Sequence, residues 1–137
     1  MSKKKFFNPE LETEEWYTEV WQNELIQVED EPNLLVRNHY WQDANGDMWG
    51  NFDDPMENVR ASFAAYRMKK GYMTPNEIRA LRHNLELSVS DFSERIGIMP
   101  ATLTQIESDQ CIQLNDQEII FKSARDYYEK HEILPED

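Results

Sequence analysis

One stretch of the chain, residues 87–108, limits most strongly what it can fold into. It reads LSVSDFSERIGIMPATLTQIES. Ser88 followed by Asp91 is a helix-start signal, Gly97 suits the left-handed conformation that ends a helix, and Pro100 suits the first position of a new one. We therefore predict a helix, a tight turn and a second helix. The side chains that this arrangement would bury are Val89, Phe92, Ile96, Leu103 and Ile106.

Further helix signals lie on both sides of this stretch. Asp54, Pro55 and Glu57 predict a capped linking helix over residues 55–70 that ends at Gly71. Thr74 begins another helix, and Asn115 with Glu118 begins the last. The apolar positions predicted to face a core are Met56, Val59, Phe63 and Tyr66 in the first, Ile78, Leu81 and Leu85 in the second, and Ile119, Ile120, Ala124 and Tyr127 in the last.

The first 54 residues carry β signals and many aromatic side chains. Asn45-Gly46 between two runs of strand-forming residues predicts a hairpin with a type I′ turn. Two interpretations of residues 11–28 stay open, because Trp16 and Val20 recur at helical spacing while residues 24–30 are typical of a strand.

The predicted fold is therefore α+β and mainly α. A small aromatic-rich β-hairpin module over residues 1–54 precedes a helical domain over residues 55–137, made of the linking helix and a helix-turn-helix unit of four to five helices in all.

Composition argues against several classes of protein. The net charge is −13, spread over both halves of the chain, which favours a basic partner or simple solubility. The single cysteine, Cys111, cannot form an internal disulfide or a thiolate zinc site. We find no membrane-spanning run, no signal peptide, no phosphate-binding glycine loop and no convincing catalytic pair. We therefore expect a cytoplasmic protein that is not an enzyme and needs no cofactor or metal.

Residues 88–107 contain Phe92, Gly97, Pro100-Ala101-Thr102 and Ile106-Glu107. With these residues the stretch resembles the helix-turn-helix of the Cro/phage-repressor (XRE) class of DNA-binding domains. Residues 55–128 contain Ala65-Tyr66-Arg67, Gly71 and Thr74-Pro75-Asn76-Glu77-Ile78-Arg79-Ala80-Leu81-Arg82. With these residues the wider stretch resembles the C-terminal half of MqsA-type antitoxins.

These resemblances imply that the helix beginning at Pro100 reads double-stranded operator DNA. Glutamine can pair bidentately with adenine, and threonine can place its methyl group against thymine. The outward residues that would make such contacts are Ala101, Thr102, Thr104, Gln105 and Ser108. Phosphate contacts would come from Ser88, Ser90 and Arg95, together with Arg79, Arg82 or Lys122.

The sequence also departs from the family pattern. The recognition helix contains no lysine or arginine, Asp109 stands where the family often has glycine, Val89 stands where a glutamine is common, and Met99 replaces the usual Ser/Thr cap. Because phosphate contacts normally dominate affinity, we expect weak, salt-sensitive DNA binding by a homodimer on a palindromic site.

In the MqsA-type family the toxin-binding module is a zinc ribbon, and its paired cysteines are missing here. We hypothesise that an aromatic core replaces the metal. The rings would serve either as this core or as an interface for a basic partner, such as an RNase toxin. The leading hypothesis is an autoregulatory, antitoxin-like repressor. The alternative is an acidic protein–protein inhibitor or DNA mimic, of the phage type, with a degenerate helix-turn-helix.

Overall fold

A computed structural model of the chain describes residues 2–131. The fold is α+β, with a four-stranded antiparallel sheet followed by five helices. The described residues form two compact units that divide between Tyr66 and Arg67, within the first helix, whereas the sequence-based boundary lies between residues 54 and 55. The elements are β1 (Lys3–Asn8), β2 (Thr13–Val28), β3 (Glu31–Gln42), β4 (Met48–Trp49), α1 (Glu57–Lys70), α2 (Pro75–Asn84), α3 (Val89–Ile96), α4 (Pro100–Glu107) and α5 (Asn115–His131).

The sheet has the strand order β1-β2-β3-β4, and β2 is its longest strand. The helical interpretation of Trp16 and Val20 is wrong, because both residues lie within β2, which is paired with β3 along most of its length. The strand predicted at residues 24–30 is the end of β2, and its turn begins at Glu29, which has a positive φ of 49°. The conformation here is therefore determined by hydrogen bonding to neighbouring strands and not by the helical spacing of Trp16 and Val20.

The predicted type I′ turn is also wrong. Gln42 pairs with Met48, so five residues form the loop, and only Gly46 has a positive φ. The Asp43 carboxylate accepts the backbone N–H groups of Asn45 and Asp47, both at 2.9 Å. This carboxylate therefore closes a wider loop than the two-residue turn that Asn-Gly usually forms.

An aromatic cluster forms the core on one face of the sheet. Phe6, Tyr17 and Trp41 are buried, and Trp49 and Phe52 pack against them. The ring of Phe6 lies 4.9 Å from that of Trp41 and 5.3 Å from that of Phe52, measured between centroids. Contacts at these distances add to the apolar area that the rings remove from water.

The first turn of α1 is attached to the edge of β3. The Asn58 side chain accepts the backbone N–H of His39 at 2.8 Å and donates to its C=O at 2.9 Å, so it completes the hydrogen bonding of an edge residue. The His39 ring lies between two carboxylates, with Nδ1 2.8 Å from Glu57 and Nε2 2.7 Å from Glu19. Glu57 thus fixes the helix to the sheet.

Two predictions about α1 are wrong. The helix begins at Glu57, whose carboxylate contacts His39 and not the backbone of Asp54, so the predicted capping box is absent. The predicted stripe is buried only in part, because Met56 and Val59 are exposed while Tyr66 is buried.

The described residues of the helical unit share a hydrophobic core. Its predicted members Ile78, Phe92, Leu103 and Ile106 are all fully buried, as is Phe121, which the sequence analysis did not select. Ser88 caps α3 by accepting the N–H of Asp91 at 3.0 Å, and Gly97 ends this helix in the left-handed conformation with φ 73°, as predicted.

The start of α5 differs from the prediction. Asn115 is its first helical residue, and Gln117 accepts the N–H of Leu114 at 2.8 Å. Glu118 is buried and accepts the N–H of Met73 at 3.0 Å, so it does not complete a capping box. Ile119, predicted to face the core, is exposed. A buried acceptor in the first turn takes precedence here over a surface cap, because an unpaired backbone N–H in the core is costly.

Candidate nucleic-acid interface

Helices α3 and α4 are joined by a short turn in which Gly97 occupies the left-handed region and Ile98 is buried. α4 is anchored from below by Leu103 and Ile106, neither of which has any exposed surface. Helix α4 is only eight residues long, and an isolated helix of that length is not stable in water. Its conformation therefore depends on these tertiary contacts.

The outer surface of α4 is small and polar. Ala101, Thr104, Gln105 and Ser108 are exposed, and Thr102 is partly exposed. Only Ser108 uses its side chain on the helix itself, through a 2.7 Å hydrogen bond from Oγ to the C=O of Thr104. Bonds of this kind compete little with external partners, because a hydroxyl keeps acceptor capacity after donating.

The basic residues closest to α4 are engaged inside the protein. The Arg82 guanidinium donates hydrogen bonds to both carboxylate oxygens of Glu107, with Nε–Oε2 and Nη2–Oε1 distances of 2.9 Å. This hydrogen bond raises the pKa of Arg82. Arg79 donates to the C=O of Glu107 and to the side chain of Asn76. Both arginines therefore position α4, which reduces what they can offer to phosphate.

A second network fixes the segment between α4 and α5. Arg67 is 2% exposed and donates to Asp109 at 2.6 Å and to the C=O of Cys111 at 2.9 Å. Its Nε donates to Gln113 at 3.1 Å, and Gln113 in turn donates to Glu118 at 2.9 Å. The Asp109 carboxylate is thus paired with a buried guanidinium.

Asp109 also has an unusual backbone conformation. Asp109 has φ 60°, in the left-handed region that side chains other than Asn, Asp and Gly rarely enter. Burial raises the pKa of the nearby Cys111 thiol, which packs against the hydrophobic core.

The predicted site residues do not all lie in one place. Thr104 and Ser108 line a depression of about 270 Å³ together with Val89, Arg79 and Arg82. Arg95 lies elsewhere, in an apolar groove of about 340 Å³ between α3 and α5 that also contains Ile96 and Ile119. Ser88 and Ser90 are exposed on either side of Val89, at the start of α3.

Sequence reasoning missed the residues that hold this surface in place. Arg67, Glu107, Gln113 and Glu118 are polar yet buried, and no local pattern distinguishes them from solvated residues. One signal was present, because Arg67 belongs to the Ala-Tyr-Arg run on which the family resemblance was based.

Comparison of the chain with protein-family models, with curated proteins and with solved structures found no match. Within residues 2–131, no helix has both the length and the apolar character needed to cross a membrane. No group of three or more His, Cys, Asp or Glu side chains in that range could hold a metal ion.

Proposed function

We propose that this protein is a DNA-binding transcriptional regulator in which α3, the Gly97 turn and α4 form a helix-turn-helix. α4 is the recognition helix, and its first two turns enter the major groove of a palindromic operator bound by a homodimer. The regulator is antitoxin-like and autoregulatory, with the sheet of the first unit binding a protein partner.

One observation carries this proposal: α4 is fixed on its inner side by Leu103, Ile106 and Glu107, while its outer side is free and polar. A recognition helix needs a fixed inner side and a free outer side, since base contacts require side chains whose positions are set before binding. Gln105 and Thr104 are the residues with suitable chemistry, for adenine and for the thymine methyl group respectively.

Phosphate contacts in this proposal are few. Arg79 and Arg82 are engaged internally, and the Lys122 ammonium lies 3.4 Å from the Glu118 carboxylate. The remaining donors are Arg95, Ser88 and Ser90, with the backbone N–H groups at the start of α4. Met99 makes no side-chain cap there. Because each neutralised phosphate contributes to both affinity and salt dependence, we propose weak binding that is lost at high salt.

The alternative function is an acidic protein–protein inhibitor. Residues 1–66 contain five lysines and arginines against fourteen aspartates and glutamates, a net charge of −9, and α4 itself carries no basic residue. This function requires a basic partner and no DNA.

Fluorescence anisotropy with labelled DNA from upstream of the gene separates the two functions. We expect binding at low salt that disappears near 0.5 M salt, and no comparable binding of DNA of scrambled sequence. Substituting Gln105→Ala or Thr104→Ala should weaken specific binding by about 1–3 kcal/mol per lost base contact. Gln22→Ala, the same substitution at an exposed residue of the first unit, serves as the control.

Four outcomes would count against the proposal. Binding that is equal for specific and scrambled DNA, or unchanged by both α4 substitutions, would remove α4 as the reading element. Absence of DNA binding at low salt would favour the inhibitor, and tight binding that survives 0.5 M salt would contradict the small number of phosphate contacts.

A further inference from the structure

Among residues 2–131, no strand lies beside the outer edge of β2 over much of its length. β1 pairs with β2 only as far as Thr18, after which the N–H of Glu19 donates to Ser2 at 2.8 Å. β2 continues to Val28 with β3 on its other side. Within residues 2–131, the part of β2 from position 20 to 28 therefore has a strand neighbour on one side only.

The backbone groups that face this edge follow from the register. Trp21 lies opposite His39, and the N–H and C=O of His39 point away from β2, toward Asn58. In an antiparallel pair, both residues of such a position direct their backbone groups outward. Trp21, and by the two-residue alternation Asn23 and Leu25, therefore present N–H and C=O groups along the free edge.

Apolar side chains lie beside these backbone groups. Leu25 and Leu35 are directly opposite each other and are each 67% exposed. Trp21 shares their face, is held parallel to the His39 ring at 4.1 Å between centroids, and has the Arg37 guanidinium 5.1 Å from its ring. An exposed edge bordered by apolar side chains is the arrangement that strand addition uses.

Charge indicates what the edge would accept. Residues 6–36, which include all of β2 and the start of β3, contain nine carboxylates and no lysine or arginine, while Arg37 lies opposite Asn23 and beside the Trp21 ring. A second copy of the chain would bring the same carboxylates together. A basic segment would be attracted to them, since complementary charge favours association and suppresses wrong partners.

We propose that β2 beyond Glu19 binds an extended segment of a basic protein as an additional strand of the sheet. Backbone hydrogen bonds to Trp21, Asn23 and Leu25 supply register, Leu25 with Leu35 supplies apolar contact, and the surrounding carboxylates select for lysine and arginine. This inference rests on the partner-binding part of the proposed function and is independent of its DNA-binding part.

Synthetic ten-residue peptides test the proposal with the full chain. One peptide alternates valine with lysine, and the control peptide of the same length alternates valine with glutamate. We expect the lysine peptide to bind at least tenfold more tightly, and to shift the backbone amide NMR signals of Trp21, Asn23 and Leu25 more than others. Equal affinity for the two peptides, or shifts centred outside β2 and β3, would overturn the proposal.

Substitutions at the edge provide matched controls. Asn23→Pro removes an outward N–H and should lower the affinity at least tenfold, whereas Asn23→Ala keeps that N–H and should bind as the unmodified protein does. Leu25→Ser should also weaken binding, and Met68→Ser, at an exposed residue of the other unit, should not. If Asn23→Pro fails to fold, the proposal is tested by comparing peptide binding by Leu25→Ser with that by Met68→Ser.

Sedimentation velocity tests whether a second copy of this chain, and not a basic segment, occupies the edge of β2. A dimer of the free protein that Asn23→Pro dissociates would place a second copy on this edge and overturn the proposal. DNA binding by Asn23→Pro should equal that of the unmodified protein, so loss of peptide binding and failure of the DNA-binding proposal are distinguishable.

Discussion

Glu107, at the end of α4, holds the guanidinium of Arg82 from α2 through two parallel hydrogen bonds of 2.9 Å. Glu107 and Arg82 side chains are 6% and 14% exposed, so the pair is largely removed from water. Fork-to-fork contacts of this kind fix orientation as well as distance. The pair therefore sets the angle at which α4 presents its outer surface.

Removing Glu107 should destabilise the helical unit strongly. Glu107→Ala leaves the Arg82 charge buried without its partner, and we expect a loss of about 3–5 kcal/mol in the free energy of unfolding. Urea unfolding followed by circular dichroism at 222 nm measures it. Glu94→Ala, at an exposed position of α3, is the control and should stay within about 0.5 kcal/mol of the unmodified protein.

Replacing both partners provides an internal check on this prediction. Arg82→Met with Glu107→Leu leaves no unpaired charge and should recover most of the lost stability. A double variant as unstable as Glu107→Ala would show that the loss arises from packing and not from the unpaired guanidinium.

Substituting Asp109 should produce opposing effects. Asp109→Gly relieves a left-handed conformation that costs a non-glycine residue roughly 1–2 kcal/mol. It also leaves Arg67 buried without its carboxylate, which costs about 3–5 kcal/mol, so we expect a net loss of stability. Asp109→Asn, which tolerates the same φ and keeps an acceptor, should lie in between. Thermal unfolding of the three proteins tests the order, and an Asp109→Gly variant as stable as the unmodified chain would contradict it.

The aromatic cluster should make the sheet stable without a metal. Phe6→Ala removes a buried ring that contacts Tyr17, Trp41 and Phe52, and we expect a loss of about 3–5 kcal/mol. Phe7→Ala is the matched control, because the adjacent ring is 58% exposed. Tryptophan fluorescence during urea unfolding measures both.

Metal analysis tests whether the aromatic core stabilises the sheet without bound zinc. We expect no tightly bound zinc in purified protein, and no change in the unfolding midpoint on adding EDTA. One tight equivalent of zinc, or a midpoint lowered by the chelator, would show that the rings do not replace the metal.

The β3–β4 loop should open in acid. The hydrogen bond from the Trp49 indole at 3.0 Å lowers the pKa of Asp43, helped by backbone N–H groups of the loop. Because the folded form has the lower pKa, the loop is stabilised above the ordinary aspartate value of about 3.9. That stabilisation is lost as the pH falls through the folded pKa. The indole N–H signal of Trp49 should report the opening by NMR.

A matched pair of variants assigns the acid transition. Asp43→Asn should abolish the pH dependence of the Trp49 signal below the ordinary aspartate pKa of about 3.9, while Asp47→Asn, at an exposed position of the same loop, should leave it. A transition that persists in Asp43→Asn would mean that another carboxylate controls the loop.

Much of the helical unit could be predicted from the sequence, because its signals are local. Ser88 with Asp91, Gly97 and the apolar spacing of Phe92, Leu103 and Ile106 act within one or two turns, and the structure has these elements where they were expected. The sheet was predicted less well. Trp16 is paired with Lys5 of β1 and Val20 with Tyr40 of β3, eleven and twenty positions away, and periodicity over a short window cannot detect these partners.

By itself, the sequence determined the α+β class, the positions of α2 to α4 and the polar character of the outer side of α4. Only the tertiary structure decided which charges stay available on that surface. Arg82 and Asp109 look like free charges in the sequence, yet each is paired with a residue 25 or more positions away. Pairing of this kind depends on how helices pack, since a desolvated charge is stable only where a distant partner meets it.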